Sequence, residues 1–201
     1  MKLSLESVKE EDRGLLSPCG IICAGCDVFT NESVEYAKKI IEIWEGFNLV
    51  DVPMLSGLTS QEILSTIDSL KKHVDHRGEN TLCVSRGCYT SGGTIGRCPI
   101  WRCVKSKGYW TCAECEEYDV DSKSPCPHPE ENFPGLALSS KGVMTELVCK
   151  RYASNNIENL RRCREIGYPA FVEEIKEKVE KGWRTWQVIS KEMVVTKTGT
   201  V

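Results

Sequence analysis

The sequence predicts a mainly α fold with an irregular cysteine-rich metal-binding segment in its middle third and, at most, a small β content. Apolar residues recur at helical spacing before residue 80 and after residue 134. Between them, residues 81–132 show neither helical nor strand periodicity for long, and Gly and Pro punctuate them heavily. Seven of the 12 cysteines of the 201-residue chain fall in that stretch. A polar, looped segment of this kind cannot order itself by burial, so metal ligation is the expected source of its order.

The length suits one domain over 1–201 with a sizeable core. Within it we distinguish a cysteine group plus first helix (17–48), the irregular segment (81–132) and C-terminal helices (134–186). Residues 1–16 read as a charged leader or a first turn. After Cys19, Cys23 and Cys26 in SPCGIICAGC, the residues Val34, Ala37, Ile40, Ile41, Trp44 and Phe47 predict an amphipathic helix. Asn31 or Ser33 can cap it, Glu32 and Glu35 occupy its first turn, and it ends near Gly46 or Asn48. Thr59 with Glu62 forms a capping box ahead of a second helix carrying Ile63, Ile67, Leu70 and Val74, which stops near Gly78. Cys98-Pro99 reads as a helix start, with Pro at the first position. Three further helices are expected around Val143, Leu147 and Tyr152, then Ile157, Leu160 and Ile166, then Phe171, Val172, Ile175 and Val179. Asn155 or Asn156 caps the second, Gly167 ends it, Pro169 starts the third and Gly182 ends that one. The stretch from Trp183 onward fits a short helix or a strand equally.

Composition excludes several classes. With 40% hydrophobic and 27% charged residues and a net charge of −3, the chain is neither disordered nor strongly basic. No run reaches the roughly 18 apolar residues of a membrane span, and MKLSLESVKEEDRG is too charged for a secretory signal. The expectation is a cytoplasmic protein without membrane contact, and in a reducing cytosol a high cysteine count points to metal-bound thiolates rather than disulfides. There is no phosphate-binding glycine loop, HExxH or GxSxG, so nothing marks an enzyme.

The cysteines carry the chemistry. Cys112-x-x-Cys115 is a knuckle, a tight turn in which two thiolates face one ion. Cys98, Cys103 and Cys126 bring the candidates to five, and tetrahedral zinc or an iron–sulfur cluster needs four. Cys98 at a helix N-terminus would be favoured as thiolate by the dipole. Cys19, Cys23 and Cys26 supply three ligands to a second site, and Cys83 or Cys88 is the natural fourth. The CxxxCxxC spacing also serves radical enzymes that cleave S-adenosylmethionine. Those surround it with a barrel of strands and helices, whereas here a long helix follows directly.

Cys149 and Cys163 sit in helical patterns and read as small core side chains. His73 and His76 lie in the last turn of the second helix, where a cation suits the dipole, and His128 could replace Cys126 as a ligand. Residues 81–110 carry five basic side chains and no acid, and residues 111–132 carry seven acids and one lysine. The bases can neutralise a thiolate-rich metal centre. A nucleic-acid patch with Tyr89, Trp101, Tyr109 and Trp110 as stacking platforms is weighed against by the adjoining acids.

CGIICAGC, then CPIWRCVKSKGYWTCAEC with a later cysteine, then NIENLRRCREIGYPAFVEE together resemble a cysteine-rich bacterial and archaeal family, domain of unknown function 3795. The residues that match its motif are Cys19, Cys23, Cys26, Cys88, Cys98, Cys103, Cys112 and Cys115. The spacer between Cys83 and Cys88 and the insertion EEYDVDSKSPC are longer than in that pattern. The resemblance implies a cysteine-rich, metal-binding domain and no defined activity. Our expectation is therefore a metal-binding protein with cysteine-ligated zinc in a structural role. The alternatives are an iron–sulfur redox or electron-transfer protein and a protein- or nucleic-acid-interaction module, with nucleic acid the less favoured partner.

Overall fold

The computed structural model describes residues 8–79, 87–91, 98–122, 126 and 148–191. Cys83, His128, Val143 and Leu147 lie outside the described residues. The described chain is mainly helical: α1 Asp27–Thr30, α2 Glu32–Gly46, α3 Ser60–Glu79, α4 Gly87–Ser91, α5 Pro99–Ser106, α6 Asn155–Ile166 and α7 Tyr168–Glu180. Short 3-10 turns at Cys23–Gly25, Cys112–Glu114 and Thr185–Val188 join them. The β content among the described residues is one isolated bridge, Leu16 to Ile22. No helix among them is long and apolar enough to cross a membrane.

The chain divides into two compact units, Met1–Phe29 with Leu82–Val201 and Thr30–Thr81. The second is a hairpin of α2 and α3. Its capping box forms as the pattern Thr59-x-x-Glu62 requires: the Thr59 amide donates to Glu62 Oε2 at 2.8 Å and the Glu62 amide to Thr59 Oγ1 at 3.3 Å. Two orphan N–H groups at the start of α3 are satisfied in this way. Leu49, Ile63 and Ile67 form a small core on which Ile41 and Trp44 pack. The periodic set on α2 divides between environments, because Val34 and Ala37 are buried while Ile40 and Phe47 are exposed. Tyr36 and Ile43 join the exposed pair at helical spacing. His73 shares a 3.0 Å hydrogen bond with Ser33 Oγ, and the basic residues in the last turn of α3 are His76 and Arg77.

The first unit holds the larger core. Tyr168, Leu160, Ile175, Val172 and Phe171 of α6 and α7 pack with Leu16, Ile22, Val104 and Trp110. Gly167, at φ 80°, separates α6 from α7 and Pro169 opens α7, as the punctuation predicts. Trp110 stacks on Tyr89 at 3.8 Å and meets Tyr168 edge-on at 5.6 Å. Both Tyr89 and Trp110 are buried, so two of the four aromatics considered as stacking platforms are core side chains. In the stretch after Trp183, Thr185–Val188 form a 3-10 turn, and residues 192–201 lie outside the described residues.

Cys163 is buried in this core, as its place on the apolar face of α6 predicts. Burial, with the nearby Glu114 carboxylate adding to it, pushes its thiol from near 9 up to about 12. The unfolded thiol ionises first, so the corresponding stability is present below about pH 9 and is lost as pH rises towards 12. Thermal midpoints measured across that window are expected to fall less steeply in Cys163→Ala than in the parent chain. Equal slopes would remove Cys163 as a contributor.

Candidate functional site

The two CxxC sequences adopt one local form. Cys23–Gly25 and Cys112–Glu114 are single 3-10 turns, and each second cysteine donates its amide to the carbonyl of the first: Cys26 to Cys23 at 2.9 Å, Cys115 to Cys112 at 3.1 Å. Both second cysteines then leave in extended backbone, at φ −92° and −80°. This is a turn that lets two side chains diverge from one tight loop while its amides point inward.

The Cys112–Cys115 turn is held by groups outside it. Thr111 Oγ1 accepts from the Ala113 amide at 2.9 Å, and the buried Glu114 carboxylate takes the amides of Thr111, at 3.1 Å, and Trp110. Thr111-x-x-Glu114 is a capping box, a signal visible in the sequence that our reading of this segment did not use. Arg164, in the last turn of α6, donates to the carbonyls of Ala113 at 2.7 Å, Cys115 at 2.6 Å and Tyr118 at 2.7 Å. No local pattern announces that clamp, because Arg164 lies 49 residues from Cys115. The Cys112 amide donates to Pro18 O at 2.8 Å, which fastens the turn to the Cys19 loop.

The thiols gather around this junction. Cys112 lies within electrostatic reach of Cys19, Cys103, Cys126 and Cys115, and Cys98 acts on Cys19. Tyr118 is reached by Cys112, Cys149, Cys19 and Cys126. Six candidate ligands are thus brought into one neighbourhood: Cys19, Cys98, Cys103, Cys112, Cys115 and Cys126. Cys26 instead neighbours Tyr152, as Cys19 also does, and the buried Cys23 faces Tyr168. Cys88 is partly buried on α4. Cys19 therefore stands with the knuckle group, while Cys83, one of the two partners its spacing suggested, lies outside the described residues.

The electrostatics of the cluster oppose bare thiolates. Burial first, then Cys98, raises the Cys19 thiol to about 12, and a 3.2 Å hydrogen bond with Ser17 Oγ opposes the shift. Burial and four neighbouring cysteines hold Cys112 well above the usual thiol range. Cys98 corrects an expectation: as N-cap of α5 it should be favoured as thiolate, yet burial raises its pKa against the amides of Trp101 and Ile100. Lys107 places its ammonium 3.9 Å from Cys115 Sγ while paired with Glu117. Among the described residues, no three Cys, His, Asp or Glu side chains converge closely enough to hold a metal ion as they stand.

The donor set nonetheless fits a soft cation. A neighbourhood of thiols that burial keeps protonated becomes a thiolate site only when a positive ion offsets the desolvation. The pattern of the family described as "Protein of unknown function (DUF3795)" matches residues 15–125. The chain belongs to this DUF3795 family. The matched residues contain both CxxC turns and every thiol of the neighbourhood except Cys126. The NIENLRRCREIGYPAFVEE stretch, which contributes α6 and the start of α7, lies beyond them. No curated protein and no solved structure matches the chain.

Proposed function

We propose that this DUF3795 protein is a cytoplasmic metal-binding protein in which cysteine-ligated zinc has a structural role. The supporting observation is the thiol neighbourhood around Cys112, assembled from four separate stretches of chain: Cys19, Cys98 with Cys103, Cys112 with Cys115, and Cys126. Thiolates from distant stretches that share one ion tie those stretches together, and the binding free energy then becomes folding free energy. A site saturated with cysteine offers no open position for substrate, which favours scaffold over catalyst. Arg164, Thr111 and Glu114 preset the knuckle, so the entropy of ordering it is already met when the ion arrives.

Elemental analysis and an ultraviolet–visible spectrum of anaerobically purified full-length protein test the reading. Near-stoichiometric zinc without visible absorbance is expected. Treatment with a chelator, or Cys112→Ser, is expected to remove the zinc and open residues 98–126 to protease. Iron with sulfide and a brown charge-transfer band would replace the proposal with the iron–sulfur alternative. Unchanged protease resistance after complete metal removal would overturn the structural role.

A further inference from the structure

Resting on that metal reading, we infer that Cys149, which lies outside the family-matched residues, is a further ligand of the same centre and closes it over a small cavity against Asn156. The cavity is lined by Cys19, Ile100, Cys112, Tyr118, Val148 and Asn156 and measures about 10 Å³. That is room for roughly one water-sized sphere, and so for a single ion. Two of its walls are thiol side chains, and Val148, which immediately precedes Cys149, is a third.

Asn156 is the independent sign of a missing partner. It is 2% exposed, its Nδ2 donates to Cys19 O at 3.2 Å and to Cys149 Sγ at 3.8 Å, and its Oδ1 is buried with no hydrogen-bond partner among the described residues. The orientation of the amide is decided by Cys19 O, which can only accept, so Nδ2 must face it and Oδ1 must not. A buried acceptor left unpaired costs about 1–3 kcal/mol, and native structures rarely tolerate one without a water or an ion. A cation or a water held in the cavity that Asn156 lines would satisfy it. Burial raises the Cys149 thiol, and the N–H that Asn156 donates to its Sγ opposes that rise and orients the sulfur.

The chain reaches this position by a deliberate reversal. The helical turn at 148–151 is followed by Ala153 and Ser154, both left-handed at φ 46° and 65°, and the Ser154 amide returns to Cys149 O at 3.0 Å. Asn156 then enters α6 beside Cys149 rather than a turn beyond it. Tyr118, which lines the cavity, is reached electrostatically by Cys149 as well as by Cys112, Cys19 and Cys126. Cys163, the other cysteine outside the proposed ligand set, sits in the apolar core and serves as its internal control.

The full chain loaded with cobalt(II) tests the inference. Cys149→Ser is expected to lower the thiolate-to-cobalt charge-transfer absorbance by one ligand's share and to weaken zinc binding by about 10–100-fold or more. Cys163→Ser is expected to leave both unchanged. A second measurement uses the unaltered chain and does not depend on the variant folding. Iodoacetamide followed by mass spectrometry should spare Cys149 in the zinc-loaded protein and modify it after chelation, while Cys163 stays unmodified in both. Zinc uptake with Cys149 equally reactive before and after chelation would overturn this inference and leave the metal reading intact. A chain that takes up neither zinc nor cobalt would overturn both.

Discussion

Gly20→Ala is expected to lower the stability of the first unit by about 3 kcal/mol or more, through two independent costs. Gly20 sits at φ 90°, a left-handed conformation that L side chains rarely adopt. A Cβ there would also lie 2.2 Å from Asn156 O and 2.7 Å from Leu160 Cγ. The first contact is backbone and cannot swing aside, and Leu160 is fully buried in the core. The loop must therefore lift from α6, and it would break the bonds from Asn159 Nδ2 to Gly20 O at 2.9 Å and from Asn156 Nδ2 to Cys19 O. For a chain of this size the thermal midpoint is expected to fall by about 6–12 °C. Gly46→Ala is the matched control, because it meets nothing within 4 Å and lies at the end of α2, where alanine favours the helix. If Gly20→Ala melts within a degree or two of the parent, the close approach of the Cys19 loop to α6 is wrong. Because Cys19 precedes this glycine, the same variant should also weaken zinc uptake under the proposed function.

Arg164→Ala is expected to cost about 2 kcal/mol and to loosen the Cys112–Cys115 turn specifically. Its guanidinium gathers three carbonyls within 2.7 Å, from Ala113, Cys115 and Tyr118, and charge-assisted bonds contribute about 1.5–3 kcal/mol each when dry. Arg164 is exposed, so water partly replaces what the substitution removes and the sum is discounted accordingly. Amide hydrogen exchange over residues 112–118 should accelerate more than exchange in α7. Arg164→Lys should not rescue it, since one ammonium cannot span carbonyls that a planar fork reaches together. Full retention of exchange protection in the lysine variant would show that charge at the C-terminus of α6, rather than the fork, holds the turn.

The parts of the fold that were legible are those written in adjacent residues. Thr59 and Glu62 announce the start of α3, Cys98-Pro99 that of α5, and Gly167 with Pro169 the break between α6 and α7, because caps and turns are decided within four residues. The periodicity on α2 was correct as a helix and incomplete as a burial map. Ile40 and Phe47 share the spacing of Val34 and Ala37 yet are exposed, since a period specifies a face and not what covers it. Tyr89 and Trp110 differ in the opposite sense. They lie in a polar stretch, where the sequence leaves surface stacking platform and core both open, and they stack on each other inside the core that α6 and α7 complete. The capping box of Thr111 and Glu114 overlaps the CxxC turn, so the same short stretch carries a cap signal and a ligand signal at once.

For the candidate site, sequence alone determined the chemistry: an excess of thiols in tight CxxC turns, with bases nearby and no catalytic constellation, follows from residue types and short spacings. Tertiary structure decided the grouping. The Cys19 loop is fastened to the Cys112 turn through Pro18 O and to α6 through Asn156, and Arg164 clamps the turn from α6, all across tens of residues of chain. Spacing can limit which thiols meet within one turn, but loop closure costs so little per added residue that it cannot say which distant turns meet. That choice belongs to the packing of α6 and α7 against the two knuckles.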